Sequence, residues 1–351
     1  MEPLRFLLLP IALLYGLVVG IRNFLYDTEA IKAVEFSIPV VSVGNLSVGG
    51  TGKSPHIEYL IRLLNEFQPA ILSRGYKRKT KGYVFSKGIP TAEQIGDEPT
   101  QFKLKYPQLS VAVAESRALA IPQLLFDAPK TRVVLLDDAM QHRTVIPGMN
   151  IMLTEYDNLF TRDFILPVGR LRESRSSYKR ADIIIVTKCP VDLSNEQRQK
   201  ILNEIEPLQH QQVYFSTLVY YNPYYIYNGN QRITLNKQMD VLGISGIARP
   251  EAFKEYVTAN ANRAFFREYQ DHHDFDRADL EAITESYQNL ESDNKIIVTT
   301  EKDAVRLSKF REWIIEYKLP IFVLPIDVRF SGNDGEKFNQ HILDFMEKMD
   351  Y

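Results

Sequence analysis

The sequence predicts an α/β protein: a mostly parallel sheet with helices on both faces, followed by a second, smaller α/β unit. Three observations carry this. From residue 39 onward, short near-continuous runs rich in Val, Ile and Leu alternate with amphipathic stretches, the pattern of buried parallel strands joined by helices. The alternation lapses at 211–233, in QQVYFSTLVYYNPYYIYNGNQRI, and then restarts. The chain has 351 residues, 45% of them hydrophobic and 25% charged, which suits a folded protein of two domains at roughly 100–200 residues each.

Before the first strand lies an uncharged run of 16 residues, FLLLPIALLYGLVVGI, between Arg5 and Arg22. As a helix it would cover roughly 24 Å, short of the ~30 Å hydrocarbon layer. Pro10, Gly16 and Gly20 weaken it further as a span. Three readings are open: an anchor lying in a membrane interface, a buried N-terminal helix, and a true span or signal. Arg5, Arg22, Phe24 and Tyr26 would serve the first at headgroup level. No small-x-small cleavage site follows the run, which counts against a signal peptide.

The expected strands of the first unit are 39–44, 70–75, 111–115, 132–138, 150–155 and 181–187; those of the second are 240–245, 264–269, 295–300 and 320–327. The Tyr-rich segment with its Gly-Asn turn reads as a β-ribbon or linker. An amphipathic stretch at 335–349 reads as a helix closing the smaller unit. The expected division is 1–27 for the apolar N-terminal helix, 28–210 for the core, 211–233 for the linker and 234–351 for the smaller domain.

Charge and cysteine content exclude several classes. Forty-two Lys+Arg against 44 Asp+Glu leave a net charge of −2, so no global basic field invites nucleic acid. One cysteine, Cys189, supports neither an internal disulfide nor a Cys-rich zinc site.

The chemistry starts where strand VVSVG runs into NLSVGGTGKSPHIEYLIRLL. Val48, Gly49, Gly50, Thr51, Gly52, Lys53 and Ser54 form a phosphate loop: glycines let backbone N–H groups close on phosphate oxygens, and the helix N-terminus adds positive potential. Lys53 suits the β- and γ-phosphates, and the Ser54 hydroxyl suits Mg²⁺. The strict Walker pattern would place Gly where Ser47 stands. Asp137 and Asp138, ending RVVLLDD, sit where α/β proteins bind ligands and are expected to position metal or water, although one of them would also serve as a helix cap.

Two basic clusters, SRGYKRKTKG (73–82) and GRLRESRSSYKR (169–180), suggest phosphorylated ligands in a chain that is nearly neutral overall. Solvated loops are the plainer alternative. Arg74 stands out because it directly follows a strand. GDEPTQF (96–102) places Asp97 at a helix start, where capping is the commonplace role. YQDHHDF (269–275) follows a strand of the second unit. Adjacent histidines point to opposite faces, so a single acid–base or orienting histidine is more plausible there than a metal pair.

Taken together, GNLSVGGTGKSP, SRGY, GDEP, DDAMQH, LRE followed by RAD, GISGIARP, DHHDF and TTEKDAVRL resemble, in order, the segments of the tetraacyldisaccharide 4′-kinases of lipid A synthesis. They span 44–307, and the family itself usually carries Ser or Thr where Ser47 stands. Ser174 departs from the common Pro after LRE, and Ala139 and Met140 differ from the more frequent form of DDAMQH. The resemblance implies ATP- and Mg²⁺-dependent phosphorylation of the 4′-hydroxyl of a tetraacylated glucosamine disaccharide 1-phosphate. It also implies two α/β/α domains joined by a two-stranded linker, a P-loop core, and a peripheral or monotopic place on the cytoplasmic face of the bacterial inner membrane. Carried over residue by residue, it makes Lys53 and Ser54 the phosphate and magnesium residues, Asp137 and Asp138 the acidic pair, Asp97 the base and His272 its partner. Glu173 is placed with the metal, and Arg74, Gln141, His142, Arg170 and Arg172 with the substrate. No nucleic acid and no obligate protein partner are expected.

Two other readings remain beside it: a soluble P-loop small-molecule kinase, and a P-loop switch or metal-insertion NTPase. Thr187-Lys188 faintly resembles a guanine-reading motif, but Pro190 stands where the diagnostic Asp belongs, which weakens the switch.

Overall fold

Residues 7–349 are described by a computed structural model, in which the apolar runs become strands of two large sheets. The nine-stranded sheet runs in spatial order Ile326–Phe330, Gln212–Tyr220, Ile183–Thr187, Met149–Glu155, Val40–Asn45, Val133–Asp137, Pro69–Ser73, Ser110–Val113 and Val84–Phe85. All neighbours are parallel except the two outermost strands. In the six-stranded sheet, Ile321–Leu324, Lys295–Thr300, Asp240–Ser245 and Arg263–Glu268 are parallel, and Tyr224–Tyr225 and Asn228–Arg232 add an antiparallel edge.

The near-continuous apolar runs arise because both faces are covered. Val41, Val43, Ile71 and Leu135 pack toward helix Lys53–Leu63 through Ile57, Leu60 and Ile61. Their neighbours Val40, Leu72, Val134 and Leu136 pack toward helix Arg117–Asp127 through Ala120, Ile121 and Leu124. Alternation along each strand is thus apolar on both sides.

Prolines explain where the observed elements depart from the expected ones. The run 320–327 is two strands: Pro325 separates Ile321–Leu324 in the smaller sheet from Ile326–Phe330 at the edge of the larger. Lacking an N–H, proline cannot continue the ladder. The segment 211–233 divides in the same way at Pro223, so Gln212–Tyr220 is a full strand of the large sheet and only Tyr224–Tyr225 and Asn228–Arg232 form a ribbon. The outward and returning crossings lie side by side, with Tyr220 opposite Ile326. The helix expected to close the smaller unit, Asp334–Met349, returns to the large sheet instead. There Phe338, Ile342 and Met346 join the core of Val41, Val43 and Leu135.

The N-terminal helix is Leu9–Asp27. It runs past Arg22, and Pro10 falls in its first turn, where the missing N–H costs nothing. The buried-helix reading does not hold, because Leu13, Leu14, Leu17, Val18, Ile21 and Phe24 are each more than half exposed. By length and composition this helix could also cross a membrane. It is held to the large domain by polar contacts: the Tyr15 hydroxyl donates to the Arg172 carbonyl at 3.0 Å, and Asn23 Nδ2 donates to Glu173 Oε2 at 3.0 Å. Arg5 lies outside the described residues.

Candidate active site

Helix Lys53–Leu63 begins on Gly52, whose φ of +89° is a left-handed conformation that side chains resist. Gly49 (φ +113°) turns the chain just before it. Asn45, at the end of its strand, organises this loop. Its Nδ2 donates to Thr51 Oγ1 at 3.0 Å, and its Oδ1 accepts from Lys53 Nζ at 3.3 Å. Thr187 Oγ1 donates to the Thr51 carbonyl at 2.9 Å. Ser47 and Val48 are tied to the 163–172 loop: Ser47 bridges Leu171, and Val48 N–H donates to the Arg170 carbonyl at 2.8 Å. Val48, Gly49 and Gly50 remain exposed, and nothing lies within 4 Å of a Cβ built on either glycine. The loop therefore keeps its backbone open to a ligand.

The acidic pair stands beside it. Asp137 closes its strand, is 2% exposed, and accepts from Ser73 Oγ at 2.9 Å on Oδ2, while its buried Oδ1 has no hydrogen-bond partner. Burial first, then the carboxylates of Glu98 and Asp138, push Asp137 up to about 7. Asp138 (φ +47°) behaves oppositely. Burial alone would raise it, but Lys53 at 3.6 Å and a bidentate Arg172 at 2.8 and 3.0 Å hold it well below the ordinary carboxylate range. Ser54 Oγ donates to Glu98 Oε1 at 2.9 Å, and Lys302 from the smaller domain reaches the same oxygen at 2.7 Å.

Asp97 is not the helix cap. Gly96 holds that position in helix Asp97–Lys105, and Asp97 lies in the first turn. Its carboxylate turns across the domain boundary, where Oδ2 meets His272 Nδ1 at 3.1 Å, Arg306 Nε at 2.9 Å and Arg306 Nη2 at 2.6 Å. Burial raises the carboxyl, but the hydrogen bonds and charge of His272 and Arg306 outweigh it and bring Asp97 to about 2. His273 faces away, with Nε2 on Asp279 at 2.7 Å and its ring stacked on Tyr269. Adjacent histidines do point apart, and only His272 enters the cleft.

The remaining predicted residues divide. Arg172 and Gln141 reach the loop's base: both donate to the Asn45 carbonyl at 3.0 Å, and Arg172 also contacts Asn45 Oδ1. His142 is lowered to about 4, first by burial and then by Arg117 and Arg74, so it is neutral at pH 7. Arg74 is exposed and makes no hydrogen bond or ion pair with another described residue, leaving its guanidinium available. Arg170 is turned back on its own loop, with Nε on Asp163 at 2.8 Å.

Glu173 is a correction. Wholly buried, it accepts from Arg22 at 3.2 Å, Asn23 at 3.0 Å and Arg180 at 2.7 Å, so both oxygens are spent fastening the N-terminal helix rather than holding a metal. Removing Glu173 leaves Arg22 and Arg180 partly open to water, so the loss falls short of the ~3–5 kcal/mol for a pair buried on both sides. Glu173→Ala should therefore lower the unfolding midpoint and expose the helix to limited proteolysis while ATP affinity stays unchanged.

Sequence reasoning missed Glu98, Lys302 and Arg306. Glu98 stands next to Asp97 in GDEP, while Lys302 and Arg306 lie in TTEKDAVRL. Their chemistry appears only when helix Glu301–Leu307 is brought against helix Asp97–Lys105.

The family model for tetraacyldisaccharide-1-P 4′-kinase, LpxK, matches residues 4–347. A relative from Flavobacterium psychrophilum, tetraacyldisaccharide 4′-kinase, is 45% identical over 99% of this chain and 98% of its own. One of the same name from Bacteroides thetaiotaomicron is 42% identical over 97% of this chain and 93% of its own. Among solved structures, LpxK from Aquifex aeolicus in complex with ATP superposes with a TM-score of 0.75 at 27% identity, covering 98% of this chain and 99% of that one. With a phosphate loop, an acidic pair and a carboxylate–histidine contact all meeting at one cleft, the chain belongs to the tetraacyldisaccharide-1-phosphate 4′-kinase family, the ATP-dependent kinases of lipid A synthesis.

Proposed function

We propose that this cleft transfers the γ-phosphoryl group of ATP to the 4′-hydroxyl of a tetraacylated glucosamine disaccharide 1-phosphate at a membrane surface. The observation that carries the reading is the contact between Asp97 of the phosphate-loop domain and His272 of the smaller one, 3.1 Å apart and one residue from the Glu98 that holds Ser54. Phosphoryl transfer asks an enzyme for alignment and charge neutralisation. Lys53 and the loop amides neutralise the phosphates, and Asp97, oriented by His272, accepts the hydrogen bond of the sugar hydroxyl and takes its proton as transfer proceeds. Arg74, which makes no ion pair among the described residues, serves the substrate's own phosphate with Gln141 and His142, while Arg172 braces Asp138 and Asn45 at the edge of that site.

The donor set fits magnesium. The partnerless buried oxygen of Asp137 calls for a cation or a proton, and Asp138 and the Ser54 hydroxyl stand in the same acidic corner. Among the described residues no three His, Cys, Asp or Glu form a metal cage. That suits an ion that takes one or two carboxylates and leaves its other positions to water and phosphate oxygens. Bound there, the ion would offset negative charge on the transferring group; Ser54, Asp137 and Asp138 would hold it.

The exposed apolar face of helix Leu9–Asp27 supports docking on the cytoplasmic face of the inner membrane, where the acyl chains of the substrate lie. Removing residues 1–24 should release the protein from vesicles and raise KM for lipid more than for ATP. Unchanged co-sedimentation of the folded, truncated protein would defeat the anchor.

The function itself is tested by ATP consumption with and without the lipid disaccharide. A lipid kinase turns over ATP only when the lipid is present. Hydrolysis at equal rate without lipid would favour a switch, and transfer to a soluble sugar would favour a soluble kinase.

A further inference from the structure

We infer that Arg306 is a positioning residue for the transfer, fixing which oxygen of Asp97 faces the substrate hydroxyl and keeping that carboxylate ionised. This rests on the reading of Asp97 given above and adds a residue from the opposite domain. Arg306 lies in helix Glu301–Leu307 with its side chain 5% exposed. Nη1 is anchored within the smaller domain, on Asp303 Oδ1 at 3.0 Å and the Gly246 carbonyl at 3.3 Å. Nε and Nη2 are thereby aimed at one atom, Asp97 Oδ2, at 2.9 and 2.6 Å. A guanidinium is planar and always charged, so two donors on one rigid fork fix the carboxylate's rotation as well as its charge.

The consequence is an asymmetric carboxylate. Two Arg306 donors converge on Oδ2, with His272 Nδ1 3.1 Å from the same oxygen, and among the described residues no hydrogen bond reaches Oδ1. Oδ1 is therefore the atom left to accept from a sugar hydroxyl. Arg306 Nη2 also stands 3.0 Å from His272 Nδ1. Because arginine only donates, it competes for that nitrogen with the proton His272 needs in order to donate to Asp97. The imidazole's tautomer and the carboxylate's charge are thus set together. The other charges around Asp97 are Asp303 behind Arg306, Asp271 at 4.0 Å from His272 Nε2, and the Glu98–Lys302 pair one residue along.

The test is the pH profile of kcat for Arg306→Met and Arg306→Lys, with lipid and ATP saturating and folding checked by thermal unfolding. An opposite charge at this range lowers a carboxyl by about 1–3 pH units. Arg306→Met should therefore raise the acidic limb by about that much and lower kcat by about 10–100-fold, below the roughly 10²–10⁴-fold of a group that itself moves the proton. Arg306→Lys keeps the charge but loses the fork, so its limb should stay near the wild-type position while kcat is only partly restored. ATP affinity should not change in either. A folded Arg306→Met enzyme whose limb does not move, whatever its rate, would overturn the proposal. If that variant does not fold, the decision falls to Arg306→Lys, where an acidic limb displaced as far as expected for loss of the charge overturns it. Asp97→Asn run alongside separates the two ideas: full activity there removes the reading of Asp97 itself, whereas an inactive Asp97→Asn with an unmoved Arg306→Met limb removes only the role of Arg306.

Discussion

Lys53→Ala should abolish phosphoryl transfer while leaving the protein folded. Lys53 is partly buried, with 13% of its side chain exposed, and lies between Asn45 Oδ1 at 3.3 Å and Asp138 at 3.6 Å. It is the cation of the phosphate loop itself, and its charge meets negative charge that builds on the transferring group. Preorganised electrostatic contacts of this kind contribute factors of about 10²–10³ each. Lys53 also helps to hold Asp138 ionised, so its removal disturbs the acidic corner as well. Ser54→Ala should cost less and should appear mainly as a weaker dependence on Mg²⁺, since water can replace a hydroxyl ligand. The check is labelled-phosphate transfer to lipid at saturating ATP; wild-type turnover by Lys53→Ala would remove the phosphate-loop assignment.

The second large effect is expected at Asp97 and His272. Either alanine variant should lose about 10²–10⁴-fold in kcat. The histidine loss comes from orientation: His272 is a non-glycine residue at φ +60°, its backbone N–H is held by the Gly246 carbonyl at 3.1 Å, and its ring meets the edge of Tyr76. A residue kept in a sparsely populated conformation costs stability, which the fold sustains here where His272 meets Asp97. KM for ATP should scarcely change, because neither side chain touches the phosphate loop. Steady-state kinetics with each substrate varied in turn checks this, and a full-rate Asp97→Ala enzyme would reduce that residue to an interdomain ion pair.

What was legible in the sequence was what lies close together along the chain. The phosphate loop, the two aspartates ending RVVLLDD and the alternation of strands and helices are all local patterns, and the structure keeps them together. Contacts between elements were not legible. Asp97 and Arg306 stand 209 positions apart, and no spacing rule joins them. The Asp97–His272 pairing came from the family resemblance alone. The resemblance puts Glu173 with the metal through its LRE motif, and nothing local to that motif shows the three donors that the fold brings to it from Arg22, Asn23 and Arg180. The helix Asp334–Met349 was assigned to the wrong sheet because amphipathicity shows that a helix packs, not against what. Only the two prolines, Pro223 and Pro325, were available to mark where the chain crosses between sheets.

If the two domains supply one catalytic unit, a double-mutant cycle on kcat with Asp97→Ala, His272→Ala and the pair, run with lipid saturating, will show it. Residues that act as a unit are not additive. The double variant should be little slower than the poorer single variant. Losses that multiply would mean that Asp97 and His272 act independently, and would contradict a single unit.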